Sequence, residues 1–316
     1  MLRWATAQGV RKSCRKGTRS DHFKDFLNPW GLSEVYETCI LITMSDQNKS
    51  KLKPLLAGLG DTGLVSSRWL KAHGYSNSLI ARYAASGWLV SPARGVYMRQ
   101  GGRLQWEGVV RALQVREALS LHVGGRFALA WQGHEHYLRL GEAAAVTLYG
   151  SDRLPGWATK MPLAERLQAC GKRPFDLPVL HFTPEVPDKA LLEQGLDRRE
   201  SGPGMDAVVC STPERAMLEL CDGVLDAPAV YEADALMQGM ATLRPERVGM
   251  LLRRCGSVKA KRLFLALAHR HGHAWLSHTP LEGVDLGRGK RSLVPGGRLH
   301  PTYQITLPGD LDEHLG

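Results

Sequence analysis

Glycines at positions 60, 74, 87, 95 and 101–102 cut the segment after residue 60 into short pieces, so no element there runs much beyond about a dozen residues. Lys49 to Leu59 reads as a short helix closed by Gly60. Ser66 and Ser67 are candidate N-caps of a second helix, with Val65, Trp69 and Leu70 on one face and an end near His73-Gly74. Ser76 caps a third helix that runs to Ser86, and Gly87 breaks it. Trp88-Leu89-Val90 and Val96-Tyr97-Met98 flank Ser91-Pro92-Ala93-Arg94-Gly95, a hairpin signature with a Pro/Gly turn. Helix, helix, helix, hairpin within about sixty residues is the order of a winged helix-turn-helix.

Charge is segregated in the same way. The chain of 316 residues carries a net charge of +10. Residues 1–43 hold seven Lys/Arg against four Asp/Glu, residues 44–104 nine against two, and residues 105–316 are balanced at 25 each. A compact basic segment on a neutral body is suited to a polyanion, and a merely soluble basic surface does not account for the segregation. In the third helix, Leu79, Ile80, Tyr83 and Ala84 share the arc that faces a core. The opposite arc carries Ser78, Ala81, Arg82 and Ala85, with Asn77 at its border and Ser76 at its start. Small residues there allow close approach to a major-groove floor, while Asn and Arg offer bidentate hydrogen bonds to base edges. Asn77, Ser78 and Arg82 are the readout candidates, with Ala81 placed to meet a thymine methyl. Ser67, Arg68 and Lys71 on the preceding helix, Arg94 at the hairpin tip, and Arg99 and Arg103 beyond it are phosphate or minor-groove candidates.

Residues 1–43 show no sustained period, and Met44-Ser45-Asp46 begins a conventional helix entry. They are expected to be an upstream mis-start, with an organelle transit peptide as the alternative, although four acidic residues count against that. After Gly102 the chain changes character. Trp106 to Leu121 fits a helix; Val146–Tyr149, Leu177–Phe182 and Ala207–Cys210 fit strands. Thr212 and Pro213 open a helix that Gly223 ends. Helical stretches near 228–240, 244–254 and 258–271 follow, the last between Ser257 and Gly272, and Arg291 to Leu307 reads as strand and turn. Strands and helices do not alternate, so the fold class is α+β: a winged helix-turn-helix over 44–104, then a mixed α/β domain over 105–316. Six cysteines without C-x-x-C spacing suit reduced thiols in a cytoplasm, and no apolar run spans a bilayer, so no membrane is expected.

Three segments carry a resemblance. Gly74 to Tyr97 resembles the winged-helix segment of the AbiEi antitoxins of bacterial type IV toxin–antitoxin systems, where an "sGwL…rGvY" pattern leads the recognition helix into the wing. Ser211-Thr-Pro-Glu-Arg-Ala-Met-Leu-Glu-Leu220 is similar to a second family segment. Gly287 to Tyr303, leading to Ile305-Thr-Leu-Pro308, is similar to a third, and together they cover about residues 46–308. The resemblance implies an N-terminal domain that binds inverted repeats of double-stranded DNA in its own promoter and represses the operon. It also implies a C-terminal domain that counters a nucleotidyltransferase-like toxin without a stable complex. Composition and spacing speak only for the DNA-binding half.

Other constellations carry less. His269, His271, His273 and His278 are tempting as a metal cluster, but Gly272 is placed to end the helix between them and no carboxylate or cysteine sits close in sequence, Glu282 being the nearest, so a polar helix terminus is expected and no metal. His134-Glu135-His136 lacks H-E-x-x-H spacing. Glu214 and Glu219 read as a cap and a surface charge rather than an acid/base pair. Gly287-Arg-Gly-Lys-Arg lacks the spacing of a phosphate loop, but Arg288, Lys290, Arg291 and Arg298 form a second basic patch for nucleic acid. No residues are visible for catalysis and no cofactor is implied. The expected function is a DNA-binding repressor and antitoxin. The alternatives are a nuclease-like enzyme delivered by the winged helix, which would cleave DNA with divalent metal, and a winged-helix scaffold for proteins.

Overall fold

The computed structural model describes residues 51–134, 145–171, 173–200 and 207–312. The segment 1–43, the helix start at Lys49, and Glu135 and His136 lie outside the described residues. The chain divides into two compact units, Met1–Gly58 and Leu59–Gly316. In the first, residues 51–58 are helical (α1); the second opens on the last helical residue, Leu59, before Gly60.

β1 (Leu64–Ser66), a strand not expected from the sequence, comes first; α2 (Ser67–Ala72), α3 (Asn77–Ala85), β2 (Leu89–Ala93) and β3 (Val96–Arg99) follow in the expected order. Ser66 is the cap of α2, its Oγ accepting the Trp69 N–H at 3.0 Å, which leaves Val65 in β1 rather than on the helix. The strands form an antiparallel sheet in the order β1-β3-β2, with Leu64 opposite Met98 and Leu89 opposite Arg99. Val96 and Met98 alternate inward from β3 against half-buried Tyr97 and Arg99, the period of a strand with one face on a core. At the hairpin tip Gly95 has φ +77°, a left-handed conformation that costs glycine no Cβ clash.

The helix expected from Trp106 to Leu121 is shorter. α4 (Trp106–Arg111) passes into a π turn over Ala112–Arg116, and the chain leaves the helix at Ala118, φ +52°. Buried Gln114 accounts for the turn-back. Its Nε2 donates to Leu121 O and Val209 O, and its Oε1 accepts the Val209 N–H. These bonds hold the π turn against a sheet strand.

The rest of the unit contains β4 (His122–Val123), α5 (Gly125–Trp131), β5 (Ala145–Tyr149), β6 (Arg166–Cys170), α6 (Asp188–Leu192), β7 (Leu196–Arg199), β8 (Val208–Ser211), α7 (Pro213–Gly223), α8 (Ala227–Gln238), α9 (Pro245–Arg254), α10 (Val258–Arg270), α11 (Ala274–Ser277), β9 (Arg298–Leu299) and β10 (Thr306–Leu307). A mixed sheet runs β6-β5-β4-β8-β7, parallel at β6/β5 and β4/β8 and antiparallel at β5/β4 and β8/β7. β9 and β10 pair antiparallel, as the Gly- and Pro-rich tail leads one to expect. Leu177–Phe182, expected as a strand, is irregular. Pro178 within it donates no backbone hydrogen bond, which disfavours a central ladder. The fold is α+β.

α7 is the hub. It packs against α5, α8, α9 and α10, and its far end is closed by Lys259 Nζ, which donates to Asp222 O and Val224 O at 2.6 and 2.7 Å. One apolar cluster joins Leu64, Val96 and Met98 of the small sheet to Val123, Val146 and Leu148 of the large one and to Met217 and Phe264 of the helices. Arg116 Nη1 donates to Leu64 O across the same junction. Among the described residues no helix is long and apolar enough to cross a membrane.

Gly108 in α4 lies against β1's approach: a Cβ there would sit 2.0 Å from Thr62 O. In an open helix Gly→Ala stabilises by about 1 kcal/mol. Here Gly108→Ala is expected to destabilise by roughly 2 kcal/mol or more, because backbone must move. Urea unfolding of the variant reads the sign, and a variant as stable as wild type would show that the junction yields easily.

Candidate functional site

The turn His73-Gly74-Tyr75 and a second cap build the exposed helix. Ser76 Oγ accepts the Leu79 N–H at 3.2 Å and lies 2.9 Å from Ser78 Oγ. Leu79, Ile80 and Tyr83 are buried and Ala84 is half-buried, while Ser76, Asn77, Ser78, Ala81, Arg82 and Ala85 are exposed. The outer arc of α3 is therefore the face expected from its periodicity, and it is free of acid. Between residues 59 and 104 six Lys/Arg face a single carboxylate, Asp61.

The flanking candidates divide. Arg68, Lys71, Arg94 and Arg103 are exposed. Ser67 is half-buried, not on an open face, because its N–H donates to Gly95 O at 2.7 Å and ties the start of α2 to the hairpin tip. Arg99 is half-buried and pairs with Asp61 at 3.0 Å. Both side chains are largely in water, so the pair holds Arg99 only weakly.

The second patch is more ordered than its glycine content suggests. Arg288, Lys290, Arg291 and Arg298 are exposed and form no ion pair among the described residues. Buried Arg262 staples their loop, Nε donating to Leu286 O at 2.7 Å and Nη1 to Gly289 O and Gln304 O at 2.6 and 2.9 Å. The rings of His271 and His273 lie 5.9 Å apart but take different partners. His271 Nε2 lies 2.8 Å from Asp234 Oδ1 and His273 Nε2 lies 2.7 Å from Met237 O. Among the described residues no group of three or more His, Cys, Asp or Glu could hold a metal ion.

Glu214 and Glu219 depart from expectation. Neither is a surface charge. Glu214 Oε1 accepts the Arg244 N–H at 3.1 Å, capping α9 rather than its own helix, with Arg247 Nη1 at 3.5 Å from Oε2. Glu219 has no exposed side-chain surface. Its Oε1 meets His122 Nε2 at 3.1 Å and Arg215 Nε at 2.9 Å; its Oε2 accepts Gly125 N–H at 3.0 Å and Ser211 Oγ at 2.8 Å. The backbone must come close for this: a Cβ at Gly124 would lie 2.2 Å from Oε2, and Gly125 has φ +56°. Sequence reasoning missed the cluster because His122 and Glu219 are far apart in the chain. The available signal was the i, i+4 pair Arg215 and Glu219 on one helix face, with Ser211 just before that helix.

A family model described as the N-terminal domain of the AbiEi antitoxin, a transcriptional regulator, matches residues 48–140. A second, described as a transcriptional regulator, AbiEi antitoxin of a type IV toxin–antitoxin system, matches residues 143–308. The chain belongs to the AbiEi antitoxin family. No curated protein sequence matches this AbiEi chain. Among solved structures, the RV2827C protein from Mycobacterium tuberculosis is similar over 79% of this chain and 89% of its own, at 16% identity and a TM-score of 0.45.

The acid response of this AbiEi chain follows from Glu219. Burial alone would raise its carboxyl, but hydrogen bonds from His122 and Arg215, with the Arg215 charge, outweigh burial and hold it at about 2, below its ordinary 4.5. Because the folded value is the lower, the stabilisation is complete above about pH 4.5 and is lost as pH falls towards about 2. Burial, with Arg215 adding to it, keeps His122 neutral more readily than a free imidazole. Glu219→Gln is expected to destabilise by about 3 kcal/mol at neutral pH, since it leaves Arg215 uncompensated. The gap to wild type should narrow below about pH 4.5. Denaturant unfolding across that range measures it, and a pH-independent gap would remove the charge from the account.

Proposed function

We propose that residues 44–104 are a winged helix-turn-helix that lays α3 in the major groove of double-stranded DNA, and that residues 105–316 form the antitoxic body. The observation that carries this reading is the exposed arc of α3. Ala81 and Ala85 leave room for a groove floor, Asn77, Ser78 and Arg82 offer hydrogen bonds to base edges, and no carboxylate interrupts the arc. Arg68, Lys71, Arg94 and Arg103 surround it as phosphate contacts, with Arg94 at the wing tip. Membership of a transcriptional-regulator family fits this use of the surface.

In this reading the protein acts in the cytoplasm, binds inverted repeats in its own promoter and represses its operon. The body antagonises a nucleotidyltransferase-like toxin encoded alongside, without a stable complex and without chemistry of its own. Arg288, Lys290, Arg291 and Arg298 give the body a second basic face for nucleic acid. Their loop is pre-ordered by Arg262, so contact costs little loop entropy.

Two measurements test the DNA reading. With about six phosphates neutralised, log K for the operator should fall against log salt with a slope near −5. Arg82→Ala should cost about 1–3 kcal/mol on the cognate site and relax base preference, whereas Arg68→Ala should weaken cognate and scrambled duplex alike. Fluorescence anisotropy on both duplexes, with footprinting of the promoter, reads these outcomes. An Arg82→Ala variant with unchanged affinity and unchanged preference would take α3 out of the groove.

A further inference from the structure

Beside the Glu219 cluster, and apart from the arc of α3, the fold leaves a cavity of about 50 Å³. His122, Tyr149, Phe175 and Arg215 wall it, with Leu177 and Phe182 from the irregular stretch, and exposed Arg173 stands at its rim. The aromatic faces are already covered. The Tyr149 ring stacks on the His122 ring at 6.2 Å, and the Arg215 guanidinium lies 4.8 Å over Phe175. A water-sized group needs roughly 10–15 Å³, so the cavity takes about four of them. That is the size of a small inorganic ion and leaves no place for a stacked ring.

The polar atoms left over in the walls specify which ion. Ionised Glu219 only accepts, so His122 Nε2 donates to it and the other ring nitrogen, Nδ1, is an acceptor. No hydrogen bond reaches that Nδ1 among the described residues, in a side chain 4% exposed. Arg215 spends Nε on Glu219 and Nη1 on Gln194 O at 2.7 Å. Its Nη2 donates to nothing among the described residues, in a side chain only 10% exposed. A buried acceptor calls for a donor, and a buried guanidinium with an unspent donor calls for an anionic acceptor.

Charge narrows the choice further. Arg215 and Arg173 share the lining with a single carboxylate, Glu219, whose oxygens already meet four donors. An anion that only accepts, such as chloride or sulfate, satisfies Arg215 and leaves His122 Nδ1 unmet. Water meets both atoms and leaves the positive charge unbalanced. An oxyanion that keeps a proton at neutral pH does all three, because one oxygen accepts from Nη2 while its hydroxyl donates to Nδ1. Hydrogenphosphate, with four oxygens around one centre, is of that kind and of that size.

We propose that this cavity binds inorganic hydrogenphosphate, its bare oxygens on Arg215 Nη2 and Arg173 and its hydroxyl on His122 Nδ1. His122 and Arg215 also hold Glu219, so occupancy stabilises the cluster that stacks β4 and β8 on α7. The site is independent of whether α3 reads DNA, and its test needs no DNA.

Isothermal calorimetry on the full chain, in phosphate-free buffer at neutral pH and constant ionic strength, is the direct test, with phosphate, arsenate, sulfate and chloride as separate arms. Phosphate and its protonated isostere arsenate should bind, and sulfate and chloride should bind at least about tenfold more weakly. Arg173→Ala, at an exposed position, should weaken phosphate binding by about tenfold or more while leaving the unfolding curve of the phosphate-free protein unchanged. Heteronuclear NMR of the histidine side-chain nitrogens reads the hydroxyl contact without a variant: phosphate should shift the Nδ1 signal of His122, and sulfate should not. No phosphate binding up to about 20 mM would overturn the proposal. So would sulfate binding as tightly as phosphate, affinity that survives Arg173→Ala undiminished, or a His122 signal that phosphate leaves in place.

Discussion

The Glu219 carboxylate is a charge that the interior of the body accepts only on strict terms. Burying an isolated carboxylate costs several kcal/mol unless its lone pairs are met, and here they are met from four separate places. His122 comes from β4, Ser211 from the end of β8, Gly125 N–H from the start of α5 and Arg215 from one turn earlier on α7. Displacing β4, the end of β8 or the start of α5 costs the buried carboxylate one of its partners, so the cluster enforces how the sheet and its helices are stacked. The apolar residues of α7 supply most of the burial, but Val, Leu and Met tolerate small slides that a hydrogen-bonded carboxylate does not.

The same logic operates at smaller scale in the basic segment. Ser66 and Ser76 each supply a side-chain acceptor to the first turn of a helix, and the tight turn between α2 and α3 contains Gly74. The Ser67–Gly95 backbone bond fixes the hairpin tip against the start of α2. Apart from the Ser76 cap and the Ser78 hydroxyl beside it, this arrangement uses no side chain of the outer arc. Asn77, Ala81 and Arg82 are exposed and consequently available to meet a partner without cost to the fold.

How legible each part was depends on the range of the forces that make it. Caps and turns act within a few residues, and α2, α3, β2, β3, α7 and α10 are readable from Ser, Pro and Gly placed around short periodic runs. The arc of α3 is readable for the same reason, since one helix period decides which side is wet. Two-residue strands such as β4 carry no alternation, and β6 and β7 include charged residues that read as loop; only sheet pairing defines them. The helix from Trp106 was overestimated because Gln114, which ends it, bonds across the fold to Val209. Glu219 was misread for the opposite reason. Within its own sequence neighbourhood a Glu five residues after another on a helix is ordinary surface, and its burial is created by His122 and Gly125, far back in the chain.

The segment between Trp106 and His122 then takes on a role that its sequence does not advertise. One end carries Arg116 onto Leu64 O of β1, the middle carries Gln114 onto β8, and Ala118 O accepts from His181 Nδ1 in the irregular stretch that walls the pocket. With Leu64, Val96 and Met98 in the same apolar cluster as the large sheet, β1 and β3 are not tethered to the body by a flexible linker of the Gly/Ser kind. A tethered reader would search a duplex independently of its cargo. Here the contacts that hold the small sheet also hold the body, so the small sheet and the large one share a single core rather than being strung together.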